Sequence, residues 1–182
     1  MRPQTILRNQ IAEESKQLRV IKDNHVVEDN WERVDELEND GPLPAGQVII
    51  PFSYWRDNRE QLISSGKTVA VCVNGDDETD EVARDLEHFE LIALDFPKFT
   101  DGRSYSHARL LRERFGYEGE IRAVGDVLQD QLFYMQRCGI DSFQVREDKD
   151  INKALGALKG FSVKYQTAAD GALPVYRLRG SA

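Results

Sequence analysis

The run Asp95-Phe96-Pro97-Lys98-Phe99-Thr100-Asp101-Gly102-Arg103-Ser104-Tyr105-Ser106 gathers carboxylates, cations and hydroxyls immediately ahead of a helical pattern. A helix start exposes unpaired backbone N–H groups and the positive end of the helix dipole. Arg103, Ser104 and Ser106 at that start can add charge-assisted and hydroxyl hydrogen bonds to an oxyanion, and Lys98 supplies a second cation. The chemistry this points to is retention of a sulfate, sulfite or phosphate group. A local account fits the same residues: Asp101-Gly102 is a turn dipeptide, Ser104 an N-cap, and Arg103 a partner for Asp95 or Asp101. Both readings stand at this level.

Asp95 follows an apolar strand pattern directly, a place where a carboxylate serves as general base or ligand contact, or orients Arg103 or Arg122. Asp126 either caps a helix beginning at Val127 or acts as a carboxylate at a strand mouth. Asp95 and Asp126 are therefore the catalytic candidates, and Lys98, Arg103, Ser104, Ser106 and Arg122 the ligand-binding ones. Convergence of Asp95, Arg103, Arg122 and Asp126 on one cleft would favour an enzyme. His107, one turn into the helix, could face the same loop as an acid or base, or lie on the helix surface.

Other chemistry has little to build on. His25, His88 and His107 show no metal spacing, so no metal site is expected. Asp76, Asp77, Glu78, Asp80 and Glu81 read as favourable charge at a helix start, with a divalent cation as the alternative. Arg109, Arg112 and Arg114 make one helix locally basic, either as solvated surface or as a dock for an acidic partner. Cys72 and Cys138 sit in apolar patterns without C-x-x-C and read as small buried hydrophobes. Neither G-x-G-x-x-G nor G-x-x-x-x-G-K-[ST] nor G-x-S-x-G occurs, and no cofactor is evident.

These residues must be positioned by alternating elements. Residues 18–27 read as a β-hairpin turning at Asp23-Asn24. Trp31 anchors the segment after the hairpin, and residues 35–46 form a loop. Strand patterns lie at 48–52, 68–74, 90–95, 120–125, 142–145 and 161–165. Helical patterns lie between them at 57–64, 77–89, through Tyr105, Ala108, Leu111 and Phe115, through Leu128, Leu132, Met135 and Cys138 up to Gly139, and at 150–158. Alternation of this kind implies βαβ crossovers and a mainly parallel sheet. Several strands carry one polar face, with Arg122 and Asp126 on one, Ser142 and Gln144 on another, and Ser162 and Lys164 on a third. A doubly wound sheet would be apolar on both faces. The expected fold is α/β: parallel βα repeats in a partial or open (β/α) barrel-like layer preceded by the hairpin. A flavodoxin-like open sheet is the alternative.

The chain of 182 residues is expected to be one domain, with a loose arm over 1–17, hairpin and loop over 18–46, a βα body over 47–166 and a tail over 167–182. Its 31% charged and 40% hydrophobic residues give a globular balance. The net charge of −8 offers no general attraction to nucleic acid or to anionic lipid. No apolar run approaches a membrane span and no secretory h-region is present, so a cytoplasmic location is expected.

The phrases DFP-x-F-x-DGR-x-YS and RAVGDVLxDQLFYxQRCG resemble the core of a bacterial family of unknown function. That family is typically encoded beside the sulfite reductase haemoprotein and labelled as an oxidoreductase of sulfite reduction. The resemblance covers most of residues 20–165. It implies a role in sulfur assimilation, with sulfite reductase or an associated electron-transfer protein as partner and a small oxyanion as a possible ligand. It carries over no catalytic residues. Because the chain lacks the cysteines for an iron–sulfur cluster, the difficult electron transfer would reside in the partner.

Overall fold

The hairpin turn shows how directly local chemistry sets this architecture. In the computed structural model, Asp23 and Asn24 take φ values of 49° and 63°. Asp and Asn tolerate this left-handed region better than other side chains, and it matches the twist of the flanking strands. The turn joins β1 (Arg19–Lys22) to β2 (His25–Glu28) as an antiparallel pair. The structure describes residues 18–35, 37, 43–67, 69–158, 165–170 and 177. The expected arm over 1–17, nearly all of the strand at 161–165 and most of the C-terminal tail lie outside the described residues.

Six further strands complete the sheet: β3 (Trp31–Arg33), β4 (Gln47–Pro51), β5 (Val69–Val73), β6 (Phe89–Phe96), β7 (Glu120–Gly125) and β8 (Ser142–Phe143). The strand order is β2-β1-β8-β7-β6-β5-β4-β3. Strands β3 to β8 run parallel, and β1 joins β8 antiparallel. The sheet curls into a half-barrel, so the flavodoxin-like alternative is set aside. Connectivity alone requires that curl. β2 and β3 lie at opposite edges of the eight-stranded sheet, yet only Asp29 and Asn30 separate them. A flat sheet of that size would be roughly 34 Å wide, whereas the link from Glu28 to Trp31 can span no more than about 11 Å.

The helices are α1 (Phe52–Ser65), α2 (Thr79–Val82) with a 3-10 segment over Ala83–His88, α3 (Arg103–Glu113), α4 (Leu132–Arg137) and α5 (Ile151–Ala157). α1 begins at Phe52 rather than Asp57, because Phe52, Trp55 and Leu62 bury one face. The expected start lies beside the kink at Asn58, where φ is −117°. α4 is shorter than its periodicity suggests. Leu128 instead belongs to a turn, donating its N–H to Gln131 Oε1, so no helix begins at Val127 for Asp126 to cap. β3 has no counterpart among the strand patterns of the sequence, since Trp-Glu-Arg is too short to show alternation.

The two sheet faces differ in chemistry. The convex face carries Val71, Ile92, Leu94, Ile121 and Phe143 into the main apolar core with Trp55, Leu111 and Met135 from the helices. The concave face has a smaller apolar layer of Ile49, Ala70, Cys72, Leu91, Ala93 and Val124, against which Trp31 packs. Pro51, Cys72, Ala93, Arg122, Ser142 and Lys22 align as one row across the sheet. The small members of these layers leave room for long charged side chains to lie across the hollow.

Candidate functional site

Parallel α/β folds place ligands at the carboxyl ends of their strands. At that end of β6, Asp95 points onto the concave face and Arg33 reaches it from edge strand β3, with Nη1 3.3 Å from Oδ1. Three strand steps separate β3 from β6, and only the curl allows one arginine to bridge them. Arg33 Nε also donates to Asp35 at 2.6 Å. Gly125, at φ 93°, leaves the space: a Cβ there would stand 2.6 Å from the Phe96 carbonyl and 3.1 Å from Asp95 Oδ1. Cys72 lies among these charges. Burial pushes its thiol up to about 12, against the pull of the Arg33 guanidinium, so it stays protonated at neutral pH.

The loop after β6 is organised by its own carboxylates. Asp101 Oδ1 accepts the Arg103 backbone N–H at 3.2 Å and Nε at 3.0 Å, while Oδ2 accepts Nη2 at 2.8 Å. Arg103 also pairs through Nη1 with Asp76 and lies flat over Gly75, where a Cβ would meet its Nε at 2.6 Å. The hydrogen bonds from Arg103 hold the Asp101 carboxyl down to about 2. Asp101 thus stands at the start of α3, where an incoming oxyanion would otherwise sit. Ser104 is buried, and its hydroxyl donates to the Asp95 carbonyl at 2.6 Å rather than capping the helix. Asp126 accepts the Phe99 N–H at 3.0 Å and pairs with Arg146 at 2.8 Å, and Arg146 also holds Asp148 at 2.8 Å.

The remaining candidates lie apart from this arrangement. Lys98 is exposed on the loop. Ser106 is exposed on the outer flank of α3. Arg122 shares the concave face with Asp95, but it turns toward the amino end of β7. Its Nη2 and Nε meet Glu120 Oε1 at 2.7 and 2.9 Å, and Nη1 meets Asp29 at 2.8 Å. Lys22 Nζ closes the cluster on Glu120 at 2.6 Å. Burial would raise Glu120, yet Arg122 and Lys22 hold its carboxyl below the ordinary value. Asp95 and Ser104 are therefore brought together, whereas Arg103, Arg122 and Asp126 each join a separate carboxylate–arginine group.

His107 is buried rather than on the helix surface. Its Nδ1 lies 2.7 Å from Thr79 Oγ1, and its buried Nε2 has no hydrogen-bond partner among the described residues. Burial lowers its pKa, with Gly75 and Asp77 acting against that shift. The helical spacing Ser104, His107, Ala108, Leu111 carried this signal. Arg33, Asp35 and Arg146 are mouth residues that no motif announced; they become visible only through the strand order. Among the described residues no three His, Cys, Asp or Glu side chains stand together to hold a metal ion, and no helix is long and apolar enough to cross a membrane.

A family model described as a bacterial protein of unknown function (DUF934) matches residues 70–176, more than half of the chain, which belongs to that family. No curated protein matches the sequence.

Proposed function

We propose that this member of the bacterial family of unknown function serves as an accessory, partner-binding protein of assimilatory sulfite reduction and performs no chemistry on sulfite itself. One observation carries the choice. Each of three arginines at the carboxyl ends of the strands engages two aspartates of its own chain: Arg33 with Asp35 and Asp95, Arg103 with Asp101 and Asp76, Arg146 with Asp126 and Asp148. Three positive charges meet six negative ones, which opposes entry of a dianionic or monoanionic sulfur oxyanion. The sulfite assignment itself rests on the resemblance of the DGR-x-YS and QRCG phrases.

Deletion of the gene in its bacterial host tests this reading, together with copurification using the tagged full chain. Impaired growth on sulfite and recovery of sulfite reductase, or of its electron-transfer partner, are the expected results. Normal growth with neither protein recovered overturns it.

A second reading, an enzyme or binder acting on a sulfur or phosphate oxyanion, has one point in its favour. The Arg103 pair with Asp76 is exposed, and exposed pairs exchange partners readily. Sulfite, sulfate or phosphate should then raise the melting temperature of the wild-type chain and leave Arg103→Ala unmoved. Equal shifts in both proteins remove this reading.

A further inference from the structure

The outward flank of α3 differs from the mouth in how its cations are held. Among the described residues, Arg109 forms its ion pair along its own helix, with Glu113 at 2.9 Å, and Arg114 forms its ion pair with Asp80 at 3.2 Å and lies over the Phe115 ring. Arg109, Arg114 and Asp80 are largely exposed and Glu113 nearly half exposed, so these pairs contribute little and give way readily to other carboxylates. Between them runs a shallow groove of about 450 Å³, bordered by Ser106, Arg109, Leu110, Glu113 and Arg114. Leu110 is exposed in it. Tyr134 of α4, 60% exposed, extends the apolar part by packing at a tilt of 55° against Tyr105, with ring centroids 5.1 Å apart. Arg112, third of the helix arginines, takes no part: it turns inward to the Gly139 and Gly119 carbonyls and to Asp141.

We infer that this flank of α3, with Arg109 and Arg114 around Leu110 and beside Tyr134, docks an acidic amphipathic segment of a partner protein. Charge decides the occupant. The chain carries a net −8, so an acidic segment is repelled over most of the molecule and finds compensating cations on this flank. The groove lining carries two arginines against one glutamate, which a short acidic segment can meet alone, whereas a second copy would bring its whole net −8 against the rest of the surface. Leucine or aromatic residues of the segment would cover Leu110 and Tyr134, and its carboxylates would replace Glu113 and Asp80 on the two arginines. This deepens the accessory reading and rests on it.

The test titrates the full chain into a dye-labelled peptide carrying leucine along one helical face and glutamate along the other. Fluorescence anisotropy should rise with wild type and fall back with added salt. The double variant Arg109→Glu, Arg114→Glu should bind at least about tenfold more weakly. Ile63→Asp, at an exposed apolar position on α1, serves as control and should bind as wild type does. A peptide ignored by wild type, or held equally by the double variant, overturns the inference. Sedimentation showing a wild-type dimer that the double variant loses would assign the flank to a second copy and likewise overturn it. Complementation separates this proposal from the accessory reading. If deletion impairs growth on sulfite and the double variant restores it fully, this flank is wrong while the accessory reading stands. If deletion has no effect and neither sulfite reductase nor its electron-transfer partner is recovered, the accessory reading itself falls.

Discussion

Arg122 and Arg103 make nearly the same contacts in opposite surroundings. Each guanidinium holds two carboxylates, one close in sequence and one distant: Glu120 and Asp29 for Arg122, Asp101 and Asp76 for Arg103. The Arg122 and Asp29 side chains are each only 2% exposed, whereas those of Arg103 and Asp76 are 51% and 87% exposed. Inside the half-barrel water cannot replace a lost partner, so the cluster fixes how the β2–β3 link crosses the hollow. At the rim water competes throughout, so the same chemistry sets only local loop geometry and can be exchanged. The motif is therefore structural in one place and adjustable in the other.

The largest expected effect breaks the buried side of this comparison. Arg122→Ala leaves Asp29 and Glu120 without their cation inside the half-barrel, and should lower unfolding free energy by about 3–5 kcal/mol in urea denaturation. A loss below about 1 kcal/mol would mean that the floor is solvated, like the rim, and the distinction would go. Replacing Arg122, Glu120 and Asp29 together by apolar residues of similar volume should cost far less, because no buried charge is then left alone.

Gly125 sits where floor meets rim. Alanine there would hold a side chain at φ 93° with its Cβ 2.6 Å from the Phe96 carbonyl. A loss of roughly 1–3 kcal/mol is expected. Because Asp95 Oδ1 is 3.1 Å from the same point, the Arg33–Asp95 bridge should be disturbed with it. Unchanged stability would show that the β6–β7 junction is looser than its geometry indicates.

The pH response gives a smaller effect. His107 is buried beside Thr79 with its pKa below the ordinary 6.5, so the unfolded chain binds this proton more readily than the folded one. The stabilisation is complete above 6.5 and is lost as pH falls through the lowered folded value. Denaturation midpoints measured across that window should decline for wild type and decline less for His107→Gln. Parallel curves would refute the assignment.

These contrasts were unevenly legible in the sequence. The polar face of β7 announced an interior that is not doubly wound, because Arg122 alternates with apolar residues in a strand otherwise fit for burial. The Asp23-Asn24 turn and the α3 stripe were legible for the same reason: turn chemistry and helical period act over a few residues. Partner choice was not. Arg33 and Asp95 lie 62 positions apart, and Arg122 and Asp29 lie 93 apart, so their pairing depends on strand order and curl. Arg103 shows both cases at once, since its bond to Asp101 could be anticipated two residues away while that to Asp76 could not. A candidate oxyanion loop and a self-neutralised one have the same local sequence, and only the distant aspartate separates them.

The smallest expected effect tests the rim. Arg103→Ala removes both pairs at once, yet Asp101 and Asp76 then face water, and Asp101 can still accept the residue 103 backbone N–H. The denaturation midpoint at neutral pH should therefore stay within error of wild type, in contrast to Arg122→Ala. One change should nonetheless be visible. Asp101 owes its low value, about 2, first to the Arg103 side chain, so the variant should titrate it closer to an ordinary carboxylate in an NMR pH series. A large loss of stability would place Arg103 with Arg122 as a structural residue. An unmoved Asp101 would show that the backbone N–H alone holds the carboxylate, and that the arginine is free to take another anion.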